Sequence, residues 1–553
     1  MHRRLLSPTL PRLARHLCST PAAASLSARR TKIVATIGPA SEEKEPLEAC
    51  VAAGMNVMRV NFSHATVDEF HLRRDNLRNN PAGEYVSVML DTKGPEIRMG
   101  GLQVCKDTGD RKAKISLTAG DTLHLSTDPA YDGASDGKTL FIDYARLGEV
   151  VASGDTVLLD DGLISLRVEN VVRTGGADGA LIETRVLNSS EIGERKGVNL
   201  PGVKTGLPAM SEKDKQDIKF GVEHDIDMVA ASFVRSAEGV HEIRDYLREC
   251  LDEAAAADPS RAQEPLPLII SKIESTEAID ELRAIVHASD GIMVARGDLG
   301  VEVPIEHVIT LQKEMVDLCL SAGKPVVVAT QMLESMQKNP RPTRAEVADV
   351  TNAVLDGADA VMLSGESANG KYPSESVGMQ ASICEHTERW ADSRGLAMAA
   401  DGASDGVMDM MAEADEEGDL IDEHADSLGA AAHLLAERVG ASAILVYDFG
   451  DTGRLARAVS KYRPAMPIAA VSESLKICRQ LSISRGVEPF HLSDELISQL
   501  DDIESSFELC QVVAANTSML DPDDTVVCVV GESVSVETID EHFFDFDTDG
   551  PPQ

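Results

Sequence analysis

The chain has 553 residues, 43% of them apolar, which is enough to bury several cores and marks a globular protein of about three or four domains. Acidic residues outnumber basic ones 92 to 52, and the formal charge of -40 repels nucleic acid and anionic membrane surfaces, so neither is expected as a partner. No apolar run approaches the ~20 residues that cross a bilayer, and nine cysteines without a CxxC pair point to a reducing compartment, not a disulfide framework or a zinc site.

The first thirty residues stand apart. Met1 to Arg30 carries Arg3, Arg4, Arg12, Arg15, Arg29 and Arg30 among Ser, Ala and Leu, with no acid before Glu42. That composition predicts a transit peptide for a mitochondrion or plastid; a basic tail on a cytoplasmic protein is the alternative. Lys32 to Thr36 then reads as a strand, followed by a helical stretch to Ala53 and Gly54, a strand at Asn56 to Asn61, a helix, and a strand at Val86 to Leu90 that runs into the charged segment Asp91 to Arg98. This alternation predicts a parallel sheet over 31–98. From Met99 to Lys196 the rhythm changes to short alternating segments between turn residues, which predicts an inserted all-β domain.

The βα rhythm resumes at 197 and runs to Trp390. Strands are predicted at Met228 to Ala231, Leu268 to Ile273, Ile292 to Ala295, Pro325 to Ala329 and Ala360 to Leu363. Three strands before the insertion and five after it make eight, and eight βα units over roughly 260 residues are what a closed (β/α)8 barrel requires. Residues 391–426, including AEADEEGDLIDEHAD, read as an acidic solvated linker, and 427–553 as a separate α/β domain with strands at Ala443 to Val446, Pro467 to Val471 and Thr525 to Val530.

Active sites of parallel barrels are built where strands end. The second strand ends in Arg59, Asn61, Ser63 and His64; the third in Asp91, Thr92 and Lys93; the fifth in Lys272 and Glu274; the sixth in Arg296, Gly297 and Asp298; the seventh in Thr330 and Gln331; the eighth in Ser364 and Glu366. Six apolar runs that each stop in polar or charged groups predict one converging site. Lys272 and Glu274 are two residues apart, so on a strand they share a face.

The segments MNVMRVNFSHA, LDTKGPEIRMG, IISKIE, MVARGDLGVEVP, KPVVVATQMLESM, DGADAVMLSGES and YRPAMPIAAV resemble pyruvate kinase, closely from Thr31 to Trp390 and more weakly beyond. The resemblance implies a (β/α)8 TIM barrel with an inserted small β-barrel lid and a C-terminal α/β domain, a homotetramer, and phosphoryl transfer from phosphoenolpyruvate to ADP. Such a reaction brings two anions together, so it needs a metal ion and fixed positive charge. By resemblance Glu274 and Asp298 hold Mg2+ (or Mn2+), which takes one or two carboxylates and keeps positions for substrate oxygens and water. Arg59, Lys272, Gly297, Asp298 and Thr330 contact the substrate, with Lys272 stabilising the phosphoryl in flight and the enolate. Asn61, Ser63, His64, Arg98 and lid residue Lys196 match nucleotide-holding positions, and Asn61, Ser63, Asp91 and Thr92 match a K+ site, with Glu96 the residue that accompanies potassium dependence. Thr330 is too weak an acid to protonate the enolate alone and is expected to order a water or relay with Ser364 and Glu366. Arg296 is expected to orient its loop and the carboxylates.

The chain departs from that family in places. Met99 replaces a small polar residue, Asn369 a Lys, and Ser275 and Thr276 an Asn-containing turn. Gly450 to Leu455 reads GDTGRL where activated members carry Thr-Lys-Ser-Gly-Arg-Ser, which weakens a phosphate cradle and predicts weak or absent fructose bisphosphate activation. Two rival readings are a lyase or mutase of the same barrel type and a non-catalytic metabolite binder; the lid with Arg98 and Lys196 argues against the first, and the intact set Arg59, Lys272, Glu274, Asp298 and Thr330 against the second.

Overall fold

A computed structural model describes residues 29–173, 179–395, 423–448, 452–498, 500, 505–517 and 519–539. Eight strands close into a parallel barrel in sequential order: β1 (Lys32–Thr36), β2 (Val57–Asn61), β3 (Ser87–Asp91), β4 (Met228–Ala231), β5 (Leu268–Ile273), β6 (Gly291–Ala295), β7 (Val326–Ala329) and β8 (Ala360–Leu363), with β8 pairing back onto β1. These runs are almost wholly buried because each has a core on both faces, which is why they read as continuous apolar segments. Val34, Met89, Met293, Val327 and Met362 fill the barrel interior. Their neighbours Ile33, Leu90, Val294, Val328 and Val361 face the surrounding helices. Gly291 opens β6 where an added Cβ would lie 2.8 Å from the Pro325 carbonyl oxygen, so the close approach of β6 to the start of β7 excludes a side chain there.

The inserted domain is a seven-stranded mixed sheet beside a two-stranded ribbon, Ile115–Leu117 with Ser190–Ile192. It begins and ends slightly outside the expected 99–196. Ile97–Arg98 and Gly197–Asn199, assigned to the barrel by sequence, pair with each other antiparallel and belong to the lid sheet. The two chain crossings between barrel and lid thus form a paired stalk, since their backbone groups leave the barrel side by side.

The C-terminal domain is a five-stranded sheet with four parallel strands and one antiparallel edge. Its strands are β9 (Ala443–Tyr447), β10 (Ile468–Ser472), β11 (Val487–His491), β12 (Thr525–Val530) and β13 (Ser533–Thr538), in spatial order β11-β10-β9-β12-β13. It docks on the floor of the barrel, the end where strands begin. Arg463 forms a bidentate pair with Asp359 at 3.0 and 2.7 Å, Lys32 Nζ donates to the Val487 carbonyl at 2.6 Å, and Gln480 Nε2 donates to the Leu266 carbonyl at 2.7 Å.

Three expected boundaries move. Arg29 and Arg30, placed in the leader, are buried; Arg30 pairs with Asp392 at 2.7 Å and its backbone N–H donates to Glu388 at 2.7 Å, so the folded body already includes them. The rest of the predicted leader, residues 1–28, lies outside the described residues. Helices Pro373–Ser393 and Glu423–Val439 extend into the expected acidic segment from both sides, and 396–422 lies outside the described residues. Among the described residues no helix is long and apolar enough to cross a membrane.

Candidate active site

At the carboxyl end of the barrel a cleft of about 240 Å³ is lined by Arg59, Asn61, Ser63, His64, Asp91, Thr92, Lys93, Glu96, Arg98, Ser232, Phe233, Lys272, Glu274 and Asp298. The strand ends predicted to converge therefore do so for β2, β3, β5 and β6. Asp91 is the organiser: its Oδ2 accepts from Arg59 Nε at 2.7 Å and its Oδ1 from Lys272 Nζ at 3.3 Å. Arg59 is steadied further by donating to Thr36 Oγ1 at 2.8 Å, and Lys272 by donating to Ser232 Oγ at 2.7 Å and pairing with Glu274 at 2.9 Å. Burial works against Asp91's charge, but Arg59 and Lys272 outweigh it and hold the carboxyl below the usual carboxylate range. Burial likewise works against the Lys272 ammonium, yet Asp91 and Glu274 overcome it and keep the charge above its ordinary pKa. Two fixed cations thus sit on one buried acid at the cleft floor.

Glu274 and Asp298 meet across the ends of β5 and β6. Glu274 Oε2 accepts the Phe233 N–H at 2.5 Å, which leaves Oε1 for Lys272 and the cleft. Asp298 is pushed up to about 7 by burial and by the negative charge of Glu274. Two facing carboxylates in a cleft, with only one lysine between them, form a hard oxygen donor set suited to a divalent cation that completes its shell with substrate and water. The donors present therefore fit Mg2+ or Mn2+. Among the described residues no group of three or more His, Cys, Asp or Glu is placed to hold a metal ion.

Thr330 and Gln331 end β7 in the left-handed region, at φ 70° and 57°. For a β-branched residue that conformation costs about 1–3 kcal/mol and persists only where its surroundings impose it. Arg296 imposes it: buried, it donates from Nε to the Ala329 carbonyl at 3.1 Å and from Nη2 to the Thr330 carbonyl at 2.7 Å, while Asp349 grips its other edge at 2.7 and 2.8 Å. The expectation that Arg296 orients its loop describes this clamp, although its carboxylate partner is Asp349 and not the Glu274–Asp298 pair. Thr330 Oγ1 accepts the Gly297 N–H at 2.8 Å and donates to the Ala329 carbonyl at 2.6 Å.

Ser364 and Glu366 are not joined to that hydroxyl. Glu366, fully buried, spends its two oxygens on the backbone N–H groups of Ser364, at 2.8 Å, and Leu333, at 3.1 Å. Its visible role is to tie the β8 loop to the β7 loop, because buried N–H groups need acceptors.

On the outer side of the cleft Ser63 and His64 are exposed, and Asn61 Oδ1 accepts the Ser63 N–H at 3.0 Å. Arg98 is held by Glu96 at 2.6 and 2.9 Å and donates to the Arg195 carbonyl at 2.8 Å. Glu96 also pairs with Lys93 at 2.8 Å. Lys196 lies in the lid, paired with Asp160 at 2.9 Å, and does not line the cleft. Asp160, Asp161 and Arg195 all have positive φ, so the lid's approach to the barrel is a strained turn. A second, narrower cavity of about 80 Å³ runs between lid and barrel from Asp161 and Gly197 to Asp298 and Glu302, and Asn199 bridges it by donating to Glu302 at 2.9 Å.

Sequence reasoning missed Ser232, which ends β4: it accepts from Lys272 and donates to the Thr92 carbonyl at 2.6 Å. The signal was present, since Ser232 follows the apolar run Met228 to Ala231 as the other site residues follow theirs. Thr36, at the end of β1, was missed for the same reason.

A closed barrel whose strand ends gather two buried cations and a carboxylate pair in one cleft, beside an inserted β domain, has the architecture of a (β/α)8-barrel enzyme with its site at the carboxyl end of the strands. The comparisons with known proteins are specific. The family model described as pyruvate kinase, barrel domain, matches residues 28–377, and that described as pyruvate kinase, alpha/beta domain, matches 426–540. Pyruvate kinase of Dictyostelium discoideum is 41% identical over 95% of this chain and 94% of its own, and that of Agaricus bisporus 42% over 84% and 80%. A crystal structure of a pyruvate kinase from Cryptosporidium parvum superposes with a TM-score of 0.79 at 36% identity, covering 94% of this chain and 98% of that one. The chain belongs to the pyruvate kinase family and is a phosphotransferase.

Proposed function

We propose that the chain transfers the phosphoryl group of phosphoenolpyruvate to ADP, with Mg2+ or Mn2+ on Glu274 and Asp298 and K+ at Asn61, Ser63, Asp91 and Thr92. The observation that carries this reading is Arg59 and Lys272 converging on Asp91 beside the Glu274–Asp298 pair. When bound, the divalent ion supplies Lewis-acid charge to the phosphoryl and carboxylate oxygens. Arg59 is the clamp for the phosphoryl group, fixed in advance by Thr36 and Asp91 so that little reorganisation accompanies transfer. Lys272, kept charged by its acid neighbours, faces the oxygen that becomes an enolate. Thr330 has one lone pair left after its bonds to Gly297 and Ala329, so it can hold a water beside the enolate; that water gives one proton to the enolate carbon, and the hydroxide it leaves is reprotonated from solvent. The outer rim of Asn61, Ser63, His64 and Arg98, with Lys196 brought across by the lid, takes the nucleotide.

Fructose bisphosphate is proposed to activate weakly or not at all. Gly450 and Asp451 lie outside the described residues, but Leu455, which replaces the last hydroxyl of the activated loop, is buried in the domain core and offers a phosphate nothing. A homotetramer, and import into a mitochondrion or plastid directed by residues 1–28, complete the proposal; a cytoplasmic location is the alternative, and a reporter fused to those residues distinguishes them. A coupled assay with Mg2+, with and without K+, tests the reaction: ADP-dependent pyruvate formation that collapses without Mg2+ and falls without K+ is expected. Lys272→Met retaining near-normal turnover would refute the central assignment.

A further inference from the structure

Two thiols meet in the core of the C-terminal domain. Cys528 lies in β12, whose two-residue period sends Val526, Cys528 and Val530 to one face of the sheet and Val527 and Val529 to the other. The helix Ser506–Asn516 packs on the first face through Leu509, Cys510 and Val513, at i, i+1 and i+4. The two cysteines, 18 positions apart in the chain, therefore face each other across the contact of helix and sheet, with Sγ to Sγ at 3.2 Å, and both are wholly buried. They are among eight free cysteines in the described residues.

At 3.2 Å the sulfurs are about 1.2 Å from bonding distance, a gap that a slight shift of the helix or the side chains closes. A polar rim lies beside them. Ser506 stands one helical turn before Cys510, and Ser535 of β13 is directly opposite Cys528 in the strand register. Both are half-buried; Ser506 Oγ donates to Glu537 at 2.6 Å, and Ser535 Oγ donates to Ser506 Oγ at 3.1 Å. The next helix residue, Gln511, is buried with neither end of its amide hydrogen-bonded. An unsatisfied buried amide costs stability, so this helix lifts from the sheet more readily than one with all its polar groups met, and that opening admits a small oxidant from the rim. The hydrogen bond with Cys510 and burial push the Cys528 thiol up, so the first attack falls to Cys510.

We propose that Cys510 and Cys528 are an oxidative modification site, a thiol pair that a hydroperoxide closes into a disulfide stapling the helix Ser506–Asn516 to β12. The Cys510 sulfur gives an electron pair to one peroxide oxygen and the O–O bond breaks. Cys510 becomes a sulfenic acid, and its proton leaves with the second oxygen, as water when the oxidant is hydrogen peroxide. The Cys528 sulfur then attacks the sulfenic sulfur: the S–S bond forms, the S–O bond breaks, and the hydroxyl leaves with the Cys528 proton as a second water. Two thiols are oxidised and one peroxide is reduced. In a reducing compartment the pair stays as thiols, so the bridge forms when peroxide rises. Joining positions 18 apart restricts the unfolded chain and so stabilises the folded domain. Neither cysteine lines the catalytic cleft, and the proposal does not depend on the reaction assigned there.

Mass spectrometry on the full chain tests it. No Lys or Arg follows Arg485, so trypsin releases 486–553 as one peptide whose cysteines are Cys510 and Cys528. The folded protein is treated with hydrogen peroxide, its free thiols are blocked with iodoacetamide in urea, and it is digested. The peptide should then be two hydrogens lighter than its reduced form and carry no acetamide group, and dithiothreitol before blocking should restore two alkylated cysteines. In urea melts the C-terminal domain of the oxidised protein should unfold at about 1–2 M more urea than that of the reduced protein. Cys510→Ala should abolish both the lighter peptide and the difference in urea, and Cys528→Ala, made independently, should do the same. Both variants should keep wild-type basal turnover, which reports that they fold. A peptide alkylated twice after peroxide, a peptide carrying sulfinic or sulfonic acid in place of the bridge, or equal urea midpoints in oxidised and reduced protein overturns the proposal.

Discussion

Arg296→Lys isolates the clamp on Thr330 without removing its charge. Arg296 makes five hydrogen bonds to oxygen acceptors, Ala329 O at 3.1 Å, Thr330 O at 2.7 Å, Gln312 at 3.3 Å and the two oxygens of Asp349 at 2.7 and 2.8 Å, and a sixth, weaker one to Met332 Sδ at 2.7 Å. A lysine ammonium has three donors and no planar fork, so at least two of these are lost. At about 1–1.5 kcal/mol each the variant loses about 2–3 kcal/mol of stability, comparable with the strain of a left-handed threonine. Once the restraint is weaker than the strain, the β7 loop relaxes and carries the Thr330 hydroxyl with it. A displacement of ~1 Å in a reacting site costs on the order of 10²-fold in rate. The expected result is a kcat about 10²-fold down with KM for both substrates little changed, because Arg59, Lys272 and the rim are untouched. Urea melts check the stability loss, and the fate of enolpyruvate checks the step: phosphoryl transfer should stay fast while ketonisation slows, the pattern also expected of Thr330→Ala. A folded Arg296→Lys enzyme with kcat within about twofold of wild type would show that the clamp only builds the fold, and the reasoning from strain to positioning would fail.

The floor of the barrel should loosen in acid. Burial raises Asp225 and Glu264, but Lys476 and Arg479 around the first, and Arg261 and Lys476 around the second, outweigh it and hold both carboxyls low. A lowered folded pKa gives stability that is present above the unfolded values of 3.8 and 4.5 and is lost as pH falls through the folded ones, so domain docking should weaken below about pH 4.5 and Lys476→Met should flatten that slope. Glu274→Gln should raise the Mg2+ concentration for half-maximal activity about 10–100-fold with the fold intact; an unchanged requirement, read from a Mg2+ titration, would remove Glu274 from the metal site. Gly291→Ala should destabilise by about 1–3 kcal/mol, because its Cβ meets the Pro325 carbonyl oxygen and Ile270 Cδ1, each at 2.8 Å; a urea midpoint equal to wild type would contradict that packing.

Periodicity and turn chemistry were enough to place all eight barrel strands to within a residue or so, because a strand buried on both faces must be a short apolar run between breaks. They were not enough for β11 and β13. β11 contains Glu488 and Pro489, and β13 is a half-exposed edge strand, SVSVET, whose burial is too slight to leave a pattern. The lid boundary escaped for a related reason: Ile97–Arg98 becomes a strand by pairing with Gly197–Asn199 across about a hundred residues, and Gly197–Asn199 by pairing with it on one side and with Leu158 and Leu159 on the other.

The same division holds in the site. Sequence alone determined which residues stand at strand ends, since side-chain direction along a strand follows from its two-residue period, and that places Arg59, Asp91, Lys272, Glu274 and Asp298 at one end of one barrel. Only the tertiary structure decided who meets whom. Asp91 reaches Lys272 across 181 positions and Arg296 reaches Asp349 across 53, Ser232 joins Lys272 to Thr92, and Glu366 turns to main-chain N–H groups away from Thr330. Those partnerships depend on barrel closure and on which buried donors and acceptors lack another partner, quantities that a linear pattern does not contain.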